Sequence, residues 1–329
     1  MRKILSICLC MAMVLPVYSC TNPEKRYSAS YTDVFDTVVD FTAYCSTESE
    51  FRTVSESVHA ELVRLHRLFD IYNEYPGVPN AAYINRAAGG TAVETEPELT
   101  ELIKTGKSFF AETGGRLNFA LGSLLSVWHF YRAEGTRVPA FEELSESAKH
   151  TDPDKVIVDG NTVAFSDPLI KLDFGAFAKG YAAAAAAETA KKLGISDFAL
   201  NLGGNVVVSG TKNGEKWNIG VQDPEGGILT TLHVSGVSVV TSGDYQRYYE
   251  VDGVRYHHII DSETLYPCGF YRSVTVVCAD NSVADALSTA LFCLDIESGR
   301  ELARKYSAEA LWILPSGETV RTGGFADYE

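Results

Sequence analysis

Asp285 and Thr289, a carboxylate and a hydroxyl four residues apart in Ala284-Asp285-Ala286-Leu287-Ser288-Thr289-Ala290, are the most informative chemical pair in this sequence. An i, i+4 spacing puts both oxygens on one face of a helix. Their neighbours Val283, Ala286, Leu287, Ala290 and Leu291 are apolar, so the helix is largely packed, and an unpaired buried charge is costly. A hard cation such as Mg2+ would give the pair a purpose, because it takes oxygen ligands and shares them with substrate phosphates. Spacing alone leaves an N-terminal cap or an ion pair at Asp285 equally open.

Four further stretches carry candidate chemistry. Leu172-Asp173-Phe174-Gly175-Ala176-Phe177-Ala178-Lys179-Gly180-Tyr181 leads into a helix, whose free N–H groups could face an anion with Lys179 one turn inside. It lacks Walker A spacing, and a plain helix start with an exposed lysine fits the same residues. Asn201-Leu202-Gly203-Gly204-Asn205 could bring backbone close to a ligand or simply form a bulge. Thr241-Ser242-Gly243-Asp244 could offer hydroxyls to phosphate or make a tight turn. His257-His258 sit on a strand whose alternation sends the two rings to opposite faces, and one of them could be a general base.

Periodicity supplies the elements that must hold these residues. Val34 to Ala43 reads as a first strand. Helical spacing runs over 55–69, 96–112, 176–193, 281–294 and 297–306, and over the later half of 117–130. Asp159-Gly160-Asn161 joins two short β-branched runs as a hairpin, and Val251-Asp252-Gly253-Val254 is a second hairpin turn. Beyond Phe198 the chain is mostly strands punctuated by glycine. Helices mixed with antiparallel hairpins predict an α+β fold rather than a repeated βαβ array. No repeat or interior linker divides the chain, so one domain is expected over 31–329.

The chain has 329 residues, 46% hydrophobic and 22% charged, with 28 Lys and Arg against 43 Asp and Glu. A net charge of −15 argues against a nucleic-acid binder, which needs a basic surface. Residues 1–19 read as a leader: Arg2 and Lys3, then an apolar run too short to span a bilayer. The spacing to Cys20 resembles a bacterial lipoprotein signal, with Cys20 as the lipidated first residue of an exported, membrane-anchored protein, and 20–30 as a polar tether. Cys45, Cys268, Cys278 and Cys293 form no C-x-x-C pair and are expected to be buried small hydrophobes.

Taken in order, these stretches resemble the ApbE family, the FAD:protein FMN transferases. The resemblance rests on Phe174-Gly175-Ala176-Phe177-Ala178-Lys179-Gly180-Tyr181-Ala182, Gly203-Gly204, Trp217 with Asp223-Pro224, Thr241-Ser242-Gly243-Asp244, His258-Ile259-Ile260-Asp261 and the Asp285 helix. It covers most of the chain from about Val34 to Leu294. It implies that Asp285, Thr289 and the Ala176 carbonyl bind Mg2+. It implies FAD contacts at Tyr72, Ala120, Leu121, Gly122, Asp173, Lys179 and Ile259, and an active histidine at His258. The implied reaction moves FMN from FAD to a Ser or Thr of a partner redox protein and releases AMP. A Mg2+-dependent FAD pyrophosphatase and a non-enzymatic flavin-binding lipoprotein are the alternatives. Three departures from the family pattern stand out: Phe35-Asp36-Thr37 where Met-Gly-Thr is usual, Ser262 where a proline follows His-Ile-Ile-Asp, and Ser123 where a proline follows Gly122.

Overall fold

The computed structural model describes residues 24–329, so the expected leader and the Cys20 lipidation site lie outside the described residues. Its centre is an eight-stranded sheet whose neighbours follow chain order: Lys25–Val34, Thr37–Cys45, Asp197–Leu202, Asn205–Ser209, Ser238–Gly243, Ser273–Cys278, Glu309–Ile313 and Thr319–Arg321. Every pairing in it is antiparallel. The expected α+β class and the dominance of antiparallel strands are both borne out.

Period-two alternation gives the sheet two apolar faces. Val240, Val274 and Val276 join the main core with the helices Glu48–Phe69, Ala178–Lys192 and Asn281–Phe292. Val239, Val277 and Leu311 point the other way, against the hairpin Trp217–Gln222/Ile228–Val234 and Phe325. The Ala178–Lys192 helix packs closely because its buried face is almost all alanine, Ala182, Ala183, Ala186, Ala187 and Ala190. A third, smaller core joins the Gly122–Glu134 helix through Leu124 and Trp128 to the hairpin Tyr248–Val251/Val254–His257 through Tyr249.

Two expectations are corrected: the strand expected over Val34 to Ala43 is split by a turn at Phe35-Asp36, so that Val34 ends the first strand and Thr37–Cys45 is the second. Residues 25–30, expected to be tether, form most of the first strand, paired with Thr37–Cys45. Tyr27, Ala29 and Tyr31 turn inward against the core while Lys25, Arg26, Ser28 and Ser30 face outward. A strand at the sheet margin needs only one apolar side, and small or amphipathic residues there read as a linker. The short helices Ala81–Arg86 and Phe141–Ala148 were not legible either. Six and eight residues give the helical period too few turns to show.

Candidate active site

The hairpin turns and helix ends converge on a cavity of about 480 Å³. Asp285 lies in its wall, buried, one turn into the Asn281–Phe292 helix. The helix is capped by Asp280, which accepts the N–H groups of Ser282 and Val283, so Asp285 is not the cap. Its Oδ2 accepts the Gly180 N–H at 2.6 Å. Asn281 holds the same turn by donating its amide to the Gly180 carbonyl at 2.8 Å. Gly180 must be glycine: a Cβ there would stand 2.4 Å from the Asp285 Cβ and 2.8 Å from the Asn281 carbonyl.

Thr289 lies one turn further along, its hydroxyl donating to the Ala176 carbonyl at 3.3 Å and 3.4 Å from the Ser242 hydroxyl. Ser242 is in turn bonded to Ser288 at 2.8 Å. A carboxylate, a hydroxyl and a carbonyl therefore share one stretch of cavity wall. Burial pushes the Asp285 carboxyl up to about 6, with Lys179, the Gly180 N–H and Asn205 pulling the other way. A carboxylate that burial drives toward neutrality, surrounded by neutral oxygens, suits a small hard cation. No group of three His, Cys, Asp or Glu occurs among the described residues, so the oxygens here are of mixed type.

The two histidines separate cleanly. His257 ends the Val254–His257 strand and is structural: its Nε2–H donates to the Cys268 carbonyl at 2.7 Å, while Nδ1 accepts the Ile259 N–H at 3.2 Å. Those two bonds consume both nitrogens and fix the tautomer. His258 lies just past the strand, in the cavity wall, its Nδ1 buried without a partner. Burial, then the nearby Arg247, pull its pKa down to about 3, so the ring is neutral near neutral pH.

Tyr72 lines the cavity with its ring largely exposed. It sits in a turn built by Asp70, whose carboxylate accepts the N–H groups of Tyr72 and Asn73 at 2.7 and 3.1 Å and the Tyr75 hydroxyl at 2.8 Å. The Tyr72 hydroxyl meets His129 Nδ1 at 3.3 Å. Asp173, Ala176, Lys179, Leu121 and Ile259 also line the cavity. Ala120 and Gly122 flank it instead: Ala120 is fully buried, and Gly122 lies against Lys171, whose carbonyl a Cβ would approach to 2.6 Å. Gly203 and Gly204 form the two-residue turn of a hairpin at φ 57° and 91°, and both line the cavity.

Two of the three departures from the family pattern have local explanations, and in the first, Phe35 at φ 54° has none. Asp36 stands at φ 50° in the first hairpin turn, a left-handed position that asparagine and aspartate tolerate better than most residues. Ser262 donates its hydroxyl to the Gly115 carbonyl at 2.9 Å, and Ser123 donates to the Leu169 carbonyl. Each serine ties its loop by a hydrogen bond where a proline would stiffen the backbone.

Sequence reasoning missed Asn205, Arg132, His129 and Arg247. Asn205, buried beside Asp285, favours its ionised form. Only its place after the glycine turn pointed to it. Burial lowers His258 and His129, and Arg132 and Arg247, which line the cavity, lower them further. An isolated arginine in a sequence carries no spacing signal.

Comparison with known proteins follows the same outline. The sequence profile described as the ApbE family matches residues 35–312. A protein named FAD:protein FMN transferase from Treponema pallidum (strain Nichols) is 34% identical over 269 residues, 75% of this chain and 74% of its own length. One of the same name from Klebsiella pneumoniae (strain 342) is 33% identical over 244 residues, covering 72% and 75%. The crystal structure of the ApbE protein from Thermotoga maritima superimposes with a TM-score of 0.84 at 32% identity, over 93% of this chain and 99% of that one.

Proposed function

The chain belongs to the ApbE family, and from that premise we propose that it is an FAD:protein FMN transferase that uses Mg2+ and acts on a Ser or Thr hydroxyl of a partner redox protein. The observation that carries the reading is the meeting of Asp285, Thr289 and the Ala176 carbonyl in a cavity also lined by Tyr72, Lys179 and His258. Those three oxygens would hold the cation, which when bound neutralises charge on the pyrophosphate of FAD.

The chain's own residues do the rest. Gly180 fixes one carboxylate oxygen of Asp285 and leaves the other for coordination. Lys179 and Arg247 offset phosphate charge, and the aromatic face of Tyr72 offers a platform for the isoalloxazine ring. Asp173, Ile259 and Leu121 border the same space. His258, at the cavity wall, would accept the proton of the attacking hydroxyl. An anionic substrate offsets the cations that depress this ring and so raises its affinity for the proton as the complex forms. The hydroxyl oxygen bonds to the FMN phosphorus, the phosphoanhydride breaks, and AMP leaves.

The chain is further proposed to be exported and anchored by a lipid at Cys20. The central test is incubation with FAD, Mg2+ and a candidate acceptor. Protein-bound flavin fluorescence in a denaturing gel together with AMP is the expected result. Free FMN and AMP would identify water as the acceptor and the protein as a pyrophosphatase. FAD binding with no AMP release would identify a flavin carrier.

A further inference from the structure

Cys268 and Cys293 are 25 positions apart in sequence, both buried, and their Sγ atoms are in contact at 2.7 Å. The segments they join are the ones that build the site. Cys268 accepts the His257 Nε2–H on its carbonyl and donates its N–H to the Ile259 carbonyl at 2.9 Å, so it backs the loop that carries His258. Cys293 is the C-cap of the helix that carries Asp285 and Thr289, and it reaches the cavity wall. Cys45 and Cys278, also buried, instead direct their thiols at the carbonyls of Thr47 and Tyr306.

We propose that Cys268 and Cys293 form a structural disulfide that clamps the His258 loop to the Asp285 helix. In the step, each Sγ–H gives up its hydrogen and one S–S bond forms. The two electrons and two protons pass to a donor disulfide, which is reduced to a dithiol. Contact with Cys293 and burial raise the Cys268 thiol far above its usual value, so little thiolate exists in the folded protein. Oxidation therefore belongs to folding, when both thiols meet the donor. The finished bond, buried with Cys293 at the cavity wall, acts as a brace between the two segments. A loop of this length is long enough for its closure to restrain the unfolded chain appreciably.

The test is to unfold and reduce the full chain, refold it in a mixture of oxidised and reduced glutathione, and denature it in the presence of an alkylating agent. Peptide mass mapping should find Cys268 and Cys293 joined, two hydrogens lighter than the separate peptides, with Cys45 and Cys278 alkylated. Alkylation at all four positions, or a bond from Cys268 to another cysteine, overturns the proposal. The oxidised protein should also melt about 5 °C or more above the same protein after reduction in denaturant and refolding without oxidant. The Cys268→Ala/Cys293→Ala variant should show no such difference. Equal melting of oxidised and reduced wild type overturns the clamp even if the bond is found. None of these readouts depends on flavin transfer, so the disulfide and the proposed reaction stand or fall separately.

Discussion

Asp285 must be ionised to bind a cation, yet burial favours its neutral form and sets its pKa to about 6. Proton and cation therefore compete for the same oxygen. Apparent Mg2+ affinity should fall about tenfold per pH unit below that value and level off above it. Calorimetric Mg2+ titrations across this range, in buffers of different ionisation enthalpy, measure both the affinity and the proton released. The same reasoning gives an unusual prediction for kinetics. Because His258 titrates near 3 in the empty site, the acidic limb of kcat/KM should report Asp285 rather than a histidine of ordinary pKa. A His258→Gln variant should keep that limb near 6 and lose roughly 10²-fold or more in kcat, with FAD binding retained. Asp285→Ala should lose roughly 10²–10³-fold in AMP release, together with Mg2+ binding by calorimetry.

At the scale of elements, the site depends on turns and close approaches more than on the helices' intrinsic stability. Asp70 is an example. Burial raises its pKa, but the hydrogen bonds from Tyr72, Asn73 and Tyr75 outweigh this and hold it below the ordinary value. The sign follows: the turn's contribution is complete above about 3.9, the ordinary carboxylate value, and is lost as pH falls through the lower folded value. Asp70→Ala should raise the KM for FAD by releasing Tyr72, with a smaller change in kcat, as steady-state kinetics would show. Gly180→Ala forces a methyl group against Asp285 and Asn281, an overpacking that costs about 1–3 kcal/mol. Its melting temperature and Mg2+ affinity should fall together. The long helices were legible in the sequence because their apolar periodicity spans several turns. The hairpins at Gly160 and Gly253 were legible from their turn residues. The marginal strand and the two short helices were not, because one-sided burial and few turns leave little pattern to read. Asp285 and Thr289 showed themselves through a polar pair on an apolar helix, whereas Asn205 and Arg247 act through distances that only the folded chain creates.

For the whole molecule, the sequence pattern carried the fold class well, because glycine-punctuated strands mixed with capped helices restrict the topology. The pairing of Cys268 with Cys293 was not visible, since neighbours across the core leave no local spacing. No helix among the described residues is long and apolar enough to cross a membrane. Lipidation at Cys20 predicts that a radioactive fatty acid labels the wild type and not Cys20→Ser, with the variant released from the membrane fraction. The acidic surface, at a net charge of −15, predicts that acceptor proteins dock through contacts complementary to an anionic face.

The main sheet adds its strands in chain order, while the oxygens proposed to hold the cation come from residues 176, 285 and 289. The wall around Tyr72 and Asp173 can thus be laid down long before the chain's last quarter arrives. A chain ending before residue 285 would lack two of the three oxygens proposed to hold the cation, so under that proposal it should release no AMP from FAD.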